Sequence, residues 1–176
     1  MNVFLRKDKE MKRIISVIAV LMAVLVIFSA PGCASAPQSQ STTVKISDIE
    51  QAGMAQLCKQ LNDDELVPDE AVEMQYEVIG AVAGYRFTVS LDGGNALVEL
   101  YEYDLDSLND SAKSVISQVE EDGSFDMLSI STVNAQLSDN GKYLMIYNDS
   151  RSEGDNPDEA HKERRDKITE IFNKAE

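Results

Sequence analysis

The stretch that decides the fold is YRFTVSLDGGNALVELYEY, which runs from Tyr85 to Tyr103. Its first half alternates apolar and polar residues with a period of two, a pattern typical of a strand that buries one face. Asp92-Gly93-Gly94-Asn95 follows, and glycine beside Asp or Asn is a strong signal for a tight hairpin turn. The returning half, from Ala96 to Tyr103, is apolar on both faces, which indicates an interior strand. An antiparallel hairpin at the centre of a sheet is therefore expected.

More strands are predicted on both sides of this hairpin. Upstream, apolar residues alternate from Val72 to Val78, and the Gly80–Gly84 segment that follows is interpreted as a bend or bulge. Downstream, strands are predicted at Phe125–Ser131, Thr132–Leu137 and Lys142–Tyr147, the last two joined by an Asn-Gly type of turn. Hairpins joined by tight turns predict that these strands form an antiparallel sheet.

Three helices are predicted, beginning at Ser47, at Asp106 or Ser107, and near Pro157. Ser47 followed by Glu50 has the spacing of a capping box, and Gly123 stands where a glycine ends a helix. The predicted fold is α+β: an antiparallel sheet of about six strands, with helices packed on one face and the order α-βββ-α-βββ-α. This order also allows a degenerate internal duplication.

The N-terminal region has the pattern of an export signal. Five basic residues precede an apolar run from Ile14 to Ala30, and Met11 is a candidate initiator. The run ends at Ser29-Ala30-Pro31-Gly32-Cys33, which resembles the lipobox of bacterial lipoproteins, although that family usually has Leu where this chain has Ala30. The chain is similar to small lipoproteins of Gram-positive bacteria, which also share the run Val98–Asp104 and whose function is unknown.

This resemblance implies cleavage before Cys33 by signal peptidase II and a lipid on that cysteine. The expected parts are a signal peptide at 1–32, an anchored Cys33 with a flexible tether to residue 45, and one extracytoplasmic domain at 46–176. The domain would be anchored to the outer face of the cell membrane through its lipid. Two alternatives stay open: an uncleaved signal anchor, and cleavage after Ala34 or Ala36 with release of the protein.

The composition excludes several classes of partner and cofactor. The chain has 16 Lys and Arg against 31 Asp and Glu, and this negative charge argues against binding nucleic acid. Loss of residues 1–32 would leave 11 bases against 29 acids, a net charge of −18. One His and two Cys are too few for a zinc or haem site. If Cys33 carried no lipid, it would be free to pair with Cys58.

No cofactor is expected, and calcium is the cation that the acidic loops would fit best. Asp104–Asp110 supplies oxygen ligands but lacks the central Gly and closing Glu of an EF-hand. The loop 148–156 is acidic and contains glycine, yet Arg151 interrupts it. Helix capping and solvated turns explain both loops more simply.

Two functions from different classes are considered. The first is a non-catalytic binding module for an envelope protein or glycan, with a contact surface at Tyr76, Tyr85, Tyr101 and Tyr103, because Tyr is favoured in contact patches. The second is a small hydrolase that uses paired carboxylates, drawn from Glu73, Glu77, Glu99, Glu102 and Asp104. No nucleophile motif accompanies His161, which is interpreted as a surface helical residue. The binding module is preferred, and no enzymatic activity is expected.

Overall fold

The structure, a computed structural model, describes residues 42–127, 131–154 and 156–176. The predicted signal peptide, Cys33 and the first part of the tether lie outside these residues. The described residues belong to one compact unit. The described residues contain three α-helices: α1 (Ala52–Asp63), α2 (Asp110–Asp122) and α3 (Glu159–Asn173). Their eight strands are β1 (Thr43–Lys45), β2 (Glu70–Glu73), β3 (Ala83–Leu91), β4 (Gly94–Glu102), β5 (Ser124–Met127), β6 (Ser131–Asn134), β7 (Gln136–Leu137) and β8 (Tyr143–Asn148).

Six of the strands form one antiparallel sheet, in the order β1-β2-β3-β4-β8-β7. The central pair, β3 and β4, turns at Asp92-Gly93, where Leu91 is registered with Gly94 and Gly93 has a φ of 87°. The left-handed conformation explains why glycine stands at this position. The α+β class, the six-stranded antiparallel sheet and the central hairpin are therefore confirmed.

Side chains of β4 and β8 alternate between two hydrophobic cores, one on each face of the sheet. Val98 and Leu100 face α1 and α3, whereas Tyr101 and Leu144 face α2. The helices thus cover both faces, and the expectation that they all pack on one face is wrong. The apolar residues on both faces of β4 are the physical reason, because each face needs its own cover.

Helix α1 begins later than the capping-box pattern predicts. Ile46–Asp48 form a short 3-10 turn, and α1 starts at Ala52 without a side-chain cap of its own. The backbone N–H of Met54 instead donates to the carboxylate of Glu102, 48 residues away in β4. A capping partner so distant in sequence leaves no local signal, which explains why the predicted start at Ser47 is wrong.

Helices α2 and α3 are capped by their own side chains. Asn109 accepts from the backbone N–H of Ala112, so α2 begins after Asn109 and not at Asp106 or Ser107. Gly123 ends α2 with a φ of 65°, as predicted. Asp158 accepts from two backbone N–H groups at the start of α3, close to the predicted start at Pro157. Asn and Asp are the residues that cap helices best.

Two segments before β3 depart from the prediction. Thr43–Lys45, expected in the tether, pair with Glu70–Val72 as an edge strand. The predicted strand 72–78 ends at Glu73 and is followed by the 3-10 turn Tyr76–Ile79. Gly80 closes this turn with a φ of 75°, so the Gly80–Gly84 segment does contain a bend, and it leads directly into β3.

The strands after α2 do not repeat the meander before it. β5 and β6 form a separate two-stranded sheet, and only β7 and β8 join the main sheet. The predicted strand Thr132–Leu137 is divided at Ala135, whose backbone N–H donates to the carbonyl of Gly123 instead of continuing a ladder. The two halves therefore differ in their pairing, and the pattern of a degenerate duplication is absent from the described residues.

Candidate functional site

The four tyrosines predicted as a contact surface are separated by the fold. Tyr85 is 6% exposed on the α1/α3 face of the sheet, while Tyr101 and Tyr103 are 3% and 1% exposed on the α2 face. Tyr76 is half-buried beside the second core. Because three of the four are core residues on two different faces, they do not form the exposed patch that the sequence predicts.

The five acids of the hydrolase hypothesis do not form one site. β3 lies between β2 and β4, so Glu73 does not neighbour Glu99 or Glu102. Glu99 and Glu102 lie on opposite faces of β4, since Glu102 meets α1 and Glu99 shares a face with Tyr101. Glu77 and Asp104 are exposed. Glu102 and Asp104 line one cleft, which is described below, but the Glu102 carboxylate is bound to Met54 and Lys142.

Glu99 is held by two partners on its own face. Arg86 contacts Oε1 through Nη2 at 2.6 Å and Nε at 2.8 Å, and the Tyr101 hydroxyl donates to Oε2 at 2.7 Å. Burial, with the Glu99 charge beside it, raises the pKa of Tyr101 well above its usual value. The hydroxyl therefore stays protonated and acts as a donor, and the network serves as a polar clasp between β3 and β4.

Glu102 lies in a second polar cluster at the N-terminus of α1. Its Oε2 accepts from the Met54 N–H at 3.1 Å, and its Oε1 lies 3.3 Å from the Lys142 ammonium. A hydrogen bond with Tyr143 raises the pKa of Lys142, so this side chain remains charged. Gly53 fits here because a Cβ would stand 2.3 Å from the Tyr143 hydroxyl. The negative charge of Glu102 matches the positive end of the helix dipole.

A cleft opens beside this cluster, at the end of the sheet where β4 leads toward α2. We call it the Leu105 cleft; it has a volume of about 590 Å³. Its lining residues are Val82, Glu102, Tyr103, Asp104, Leu105, Asp106 and Lys142. Val82 is 39% exposed and Leu105 46% exposed, and these are two of the three large hydrophobic side chains exposed in the described residues. Exposed apolar side chains grouped in a concave site are typical of binding surfaces.

No motif in the sequence predicts this cleft. Leu105 lies in the oxygen-rich loop Asp104–Asp110, and Val82 lies in the glycine-bounded segment Gly80–Gly84. A signal was nevertheless present, because Leu105 is an isolated large apolar residue between Asp104 and Asp106 in a loop. Such a residue has no strand or helix face to bury, so its exposure could have been anticipated.

The two acidic loops considered for calcium are occupied by contacts within the protein. Asp104 accepts from the backbone N–H of Asp106, and Asn109 caps α2. In the other loop, Asp149 is buried and bonded to His161. Residue 155 lies outside the described residues. Within the described segments, no group of three or more His, Cys, Asp or Glu side chains is placed to hold a metal ion.

His161 is not the surface residue that the sequence predicts. It is 1% exposed, and its Nδ1 lies 2.8 Å from Oδ2 of Asp149. Its Nε2 lies 3.2 Å from the carbonyl oxygen of Asp92, in the turn between β3 and β4. The helical position of His161 was evident from sequence, but the loop and turn that cover it are brought there only by tertiary structure.

None of the helices in the described ranges is both long and apolar enough to span a bilayer. The apolar run 14–30 lies outside those ranges. The chain matches no protein-family model, no curated protein and no solved structure.

Proposed function

We propose that this protein is a membrane-tethered, non-catalytic binding module on the outer side of the cell membrane, and that it binds a protein segment in the Leu105 cleft. The observation that carries the proposal is the grouping of exposed apolar and acidic side chains in this one concavity. Val82 and Leu105 expose their apolar side chains in the cleft, and Asp104 and Asp106 are exposed beside them.

The lining of the cleft indicates the chemistry of the partner. Val82 and Leu105 offer apolar surface, which a partner covers by inserting an apolar side chain. Asp104 and Asp106 are exposed beside Leu105, while the charge of Lys142 is already shared with Glu102. The uncompensated charge of the cleft is therefore negative. A segment with an apolar residue flanked by Lys or Arg is complementary to it.

The proposed tether rests on the N-terminal sequence. Basic residues, the apolar run 14–30 and Gly32-Cys33 together have the pattern of a lipoprotein signal. A lipid on Cys33 and the polar segment 34–42 would hold the domain near the membrane and leave it free to rotate. After loss of residues 1–32 the chain would have a net negative charge. Anionic lipid headgroups would repel this charge, which would favour a position of the domain away from the membrane surface.

The binding proposal is tested with synthetic peptides and the full-length chain in a mild detergent. The probes are two nine-residue peptides with a central Leu. Two Lys residues flank the Leu in the first peptide, and two Glu residues flank it in the second. We expect the Lys peptide to shift the amide resonances of Val82 and Leu105, and the Glu peptide to leave them unchanged. Equal responses to both peptides, or no response to either, would contradict the proposal.

Matched variants identify the surface that binds. Leu105→Ser removes apolar surface from the cleft without adding a charge and should weaken binding of the Lys-flanked peptide about tenfold, which corresponds to about 1.4 kcal/mol. Val78→Ser is the control, because Val78 is 43% exposed but does not line the cleft. Similar losses for both variants would show that binding occurs elsewhere or without specificity.

The tether is tested separately by intact mass of the protein from its native membrane, with Cys33→Ala beside it. Loss of residues 1–32 with a diacylglycerol on Cys33 would support the lipoprotein proposal. A full-length mass that remains on the membrane in Cys33→Ala would indicate a signal anchor. A cleaved form without lipid would indicate a secreted protein.

A further inference from the structure

His161 is surrounded by hydrogen-bond acceptors on both sides of its ring. The carboxylate of Asp149 faces Nδ1, and the backbone carbonyl of Asp92 faces Nε2. A carboxylate and a carbonyl can only accept, so a ring nitrogen that faces either of them makes a favourable contact as a donor. Both nitrogens carry a proton only in the imidazolium form, and the geometry therefore favours a charged His161 paired with Asp149 in the protein interior.

We propose that Asp149, His161 and the Asp92 carbonyl form a protonation-dependent latch, which holds the β3–β4 turn on α3 while His161 is charged and releases it when His161 becomes neutral. The latch joins three parts of the chain that are distant in sequence: the β3–β4 turn, the loop after β8 and the first turn of α3. Asp149 and His161 are 5% and 1% exposed. Because both side chains are buried, water has little access to replace the contact between them.

The other charged groups around the ring have both signs. Asp158, at the start of the same helix, favours the charged form of His161, and Arg151 pairs with Asp158 at 2.8 Å. Arg151 also approaches the Asp92 carbonyl, at 3.4 Å. On the next turn of α3, Arg165 donates to the carbonyl of Ser152. The Tyr147 hydroxyl lies 3.5 Å from the oxygen of Asp149 that contacts the ring.

The hydrogen bond with Asp149, opposed by burial and aided by the Asp92 carbonyl, raises the pKa of His161 above its ordinary value of 6.5. This direction agrees with two donating ring nitrogens. The shift places the transition on the alkaline side of 6.5.

Loss of one proton has a defined structural consequence. The remaining proton is expected on Nδ1, because its acceptor is a charged carboxylate, which makes the stronger bond. Nε2 then presents a lone pair to the lone pairs of the Asp92 carbonyl. This contact becomes repulsive, so the turn at Asp92-Gly93 separates from α3 while the Asp149 contact persists.

The latch can be tested on the wild-type chain, because His161 is the only histidine in the sequence. The full-length protein, labelled with ¹⁵N in histidine and in the backbone, would be titrated by NMR in a mild detergent. We expect two protonated ring nitrogens at pH 6 and a midpoint above 6.5. Above that midpoint, the amides of residues 92–94 should shift and lose exchange protection, whereas the amide of Met54 should not change.

Two results would overturn the proposal: a neutral His161 at pH 6, or a titration of the ring that leaves residues 92–94 unchanged. Asp149→Asn supplies a variant test, because it keeps the shape and removes the charge, and its midpoint should fall below that of the wild type. The control is Asp139→Asn, an exposed acid that contacts the far end of α3 through the Asn173 carbonyl. Equal midpoints in the two variants would also overturn the proposal. If Asp149→Asn does not fold, the wild-type titration decides alone.

Discussion

The backbone N–H of Met54 donates to Oε2 of Glu102 at 3.1 Å, so a carboxylate from the central strand β4 caps the first turn of α1. The contact joins a helix to the strand that it covers, and Lys142 completes the charge balance at 3.3 Å. The cap is therefore part of the tertiary structure and not of the helix sequence.

Removal of this cap should destabilise the fold. Glu102→Ala loses a charged hydrogen bond and leaves a buried N–H without a partner, which should lower the free energy of unfolding by about 2 kcal/mol. Glu102→Gln keeps an acceptor oxygen and should cost less. Urea denaturation of both variants, with exposed Glu70→Ala as the control, measures this. If Glu70→Ala lowered the free energy of unfolding as much as Glu102→Ala does, the assignment of Glu102 as the cap of α1 would be contradicted.

Two glycines with similar backbone angles should respond differently to the same substitution. Gly80 and Gly141 have φ values of 75° and 70°, so alanine is strained by about 1 kcal/mol at either position. At Gly80, a Cβ would also stand 2.3 Å from Oδ1 of Asn109 and 2.5 Å from the backbone nitrogen of Ala112. At Gly141 it would meet nothing within 4 Å.

Gly80→Ala should therefore cost more than Gly141→Ala, by about 1–3 kcal/mol of additional overpacking. Urea denaturation of both variants gives their unfolding midpoints. At equal m-values, the difference between these midpoints measures the cost of the contact between residue 80 and the N-terminal cap of α2. Equal losses would mean that the α2 cap moves aside without cost.

Features of the fold that are encoded by a few neighbouring residues were predictable from the sequence. The β3–β4 hairpin was predictable because β3 alternates apolar and polar residues, β4 is apolar on both faces, and the turn between them requires a glycine with positive φ. The ends of α2 and α3 were nearly predictable, because Asn109, Gly123 and Asp158 act on their own helices. These signals span a few residues, so no knowledge of the tertiary structure is needed to interpret them.

Features that depend on distant contacts were missed or misplaced. The start of α1 depends on Glu102, and the burial of His161 depends on Asp149 and Asp92. The same reason applies to the candidate site, since Val82 and Leu105 share a cleft only after β3 and β4 are paired. Tyrosine positions in strands were predictable, but which tyrosines are buried was not, because both faces of the sheet are covered.

The protonation of His161 should also appear in the stability of the protein. Its pKa is raised in the folded state, so its stabilisation is complete below 6.5 and is lost as the pH rises through the folded-state pKa. We expect the free energy of unfolding to fall over that alkaline interval in the wild type. His161→Gln should lack this part of the pH dependence. A free energy of unfolding that rises with pH over this interval in the wild type would contradict the prediction.

Cys58 should be inert to thiol reagents in the folded protein. Its side chain is fully buried in the α1/α3 core, and burial raises its pKa to about 12. The reactive thiolate is therefore scarce and shielded at pH 8. In the full-length Cys33→Ala variant, Ellman's reagent should detect no thiol before urea is added and one thiol afterwards. Rapid labelling without urea would show that α1 opens readily, and would leave a Cys33–Cys58 disulfide feasible.

Glu65 is the residue at which a substitution should raise stability. Among the described residues, it is the non-glycine residue with positive φ, at 57°, and Arg164 holds its carbonyl at 2.7 Å. Asn tolerates this conformation better than Glu, so Glu65→Asn should increase the free energy of unfolding by up to about 1 kcal/mol.

The control for this change is Asp64→Asn, which removes the same charge from the same end of α1. Asp64 has a φ of −88°, so relief of strain does not contribute there. Removal of a negative charge near a helix C-terminus is itself favourable, and the control measures that contribution. The gain in Glu65→Asn should exceed the gain in Asp64→Asn in urea denaturation. Equal gains would assign the whole effect to charge and none to the backbone conformation that Arg164 helps to hold.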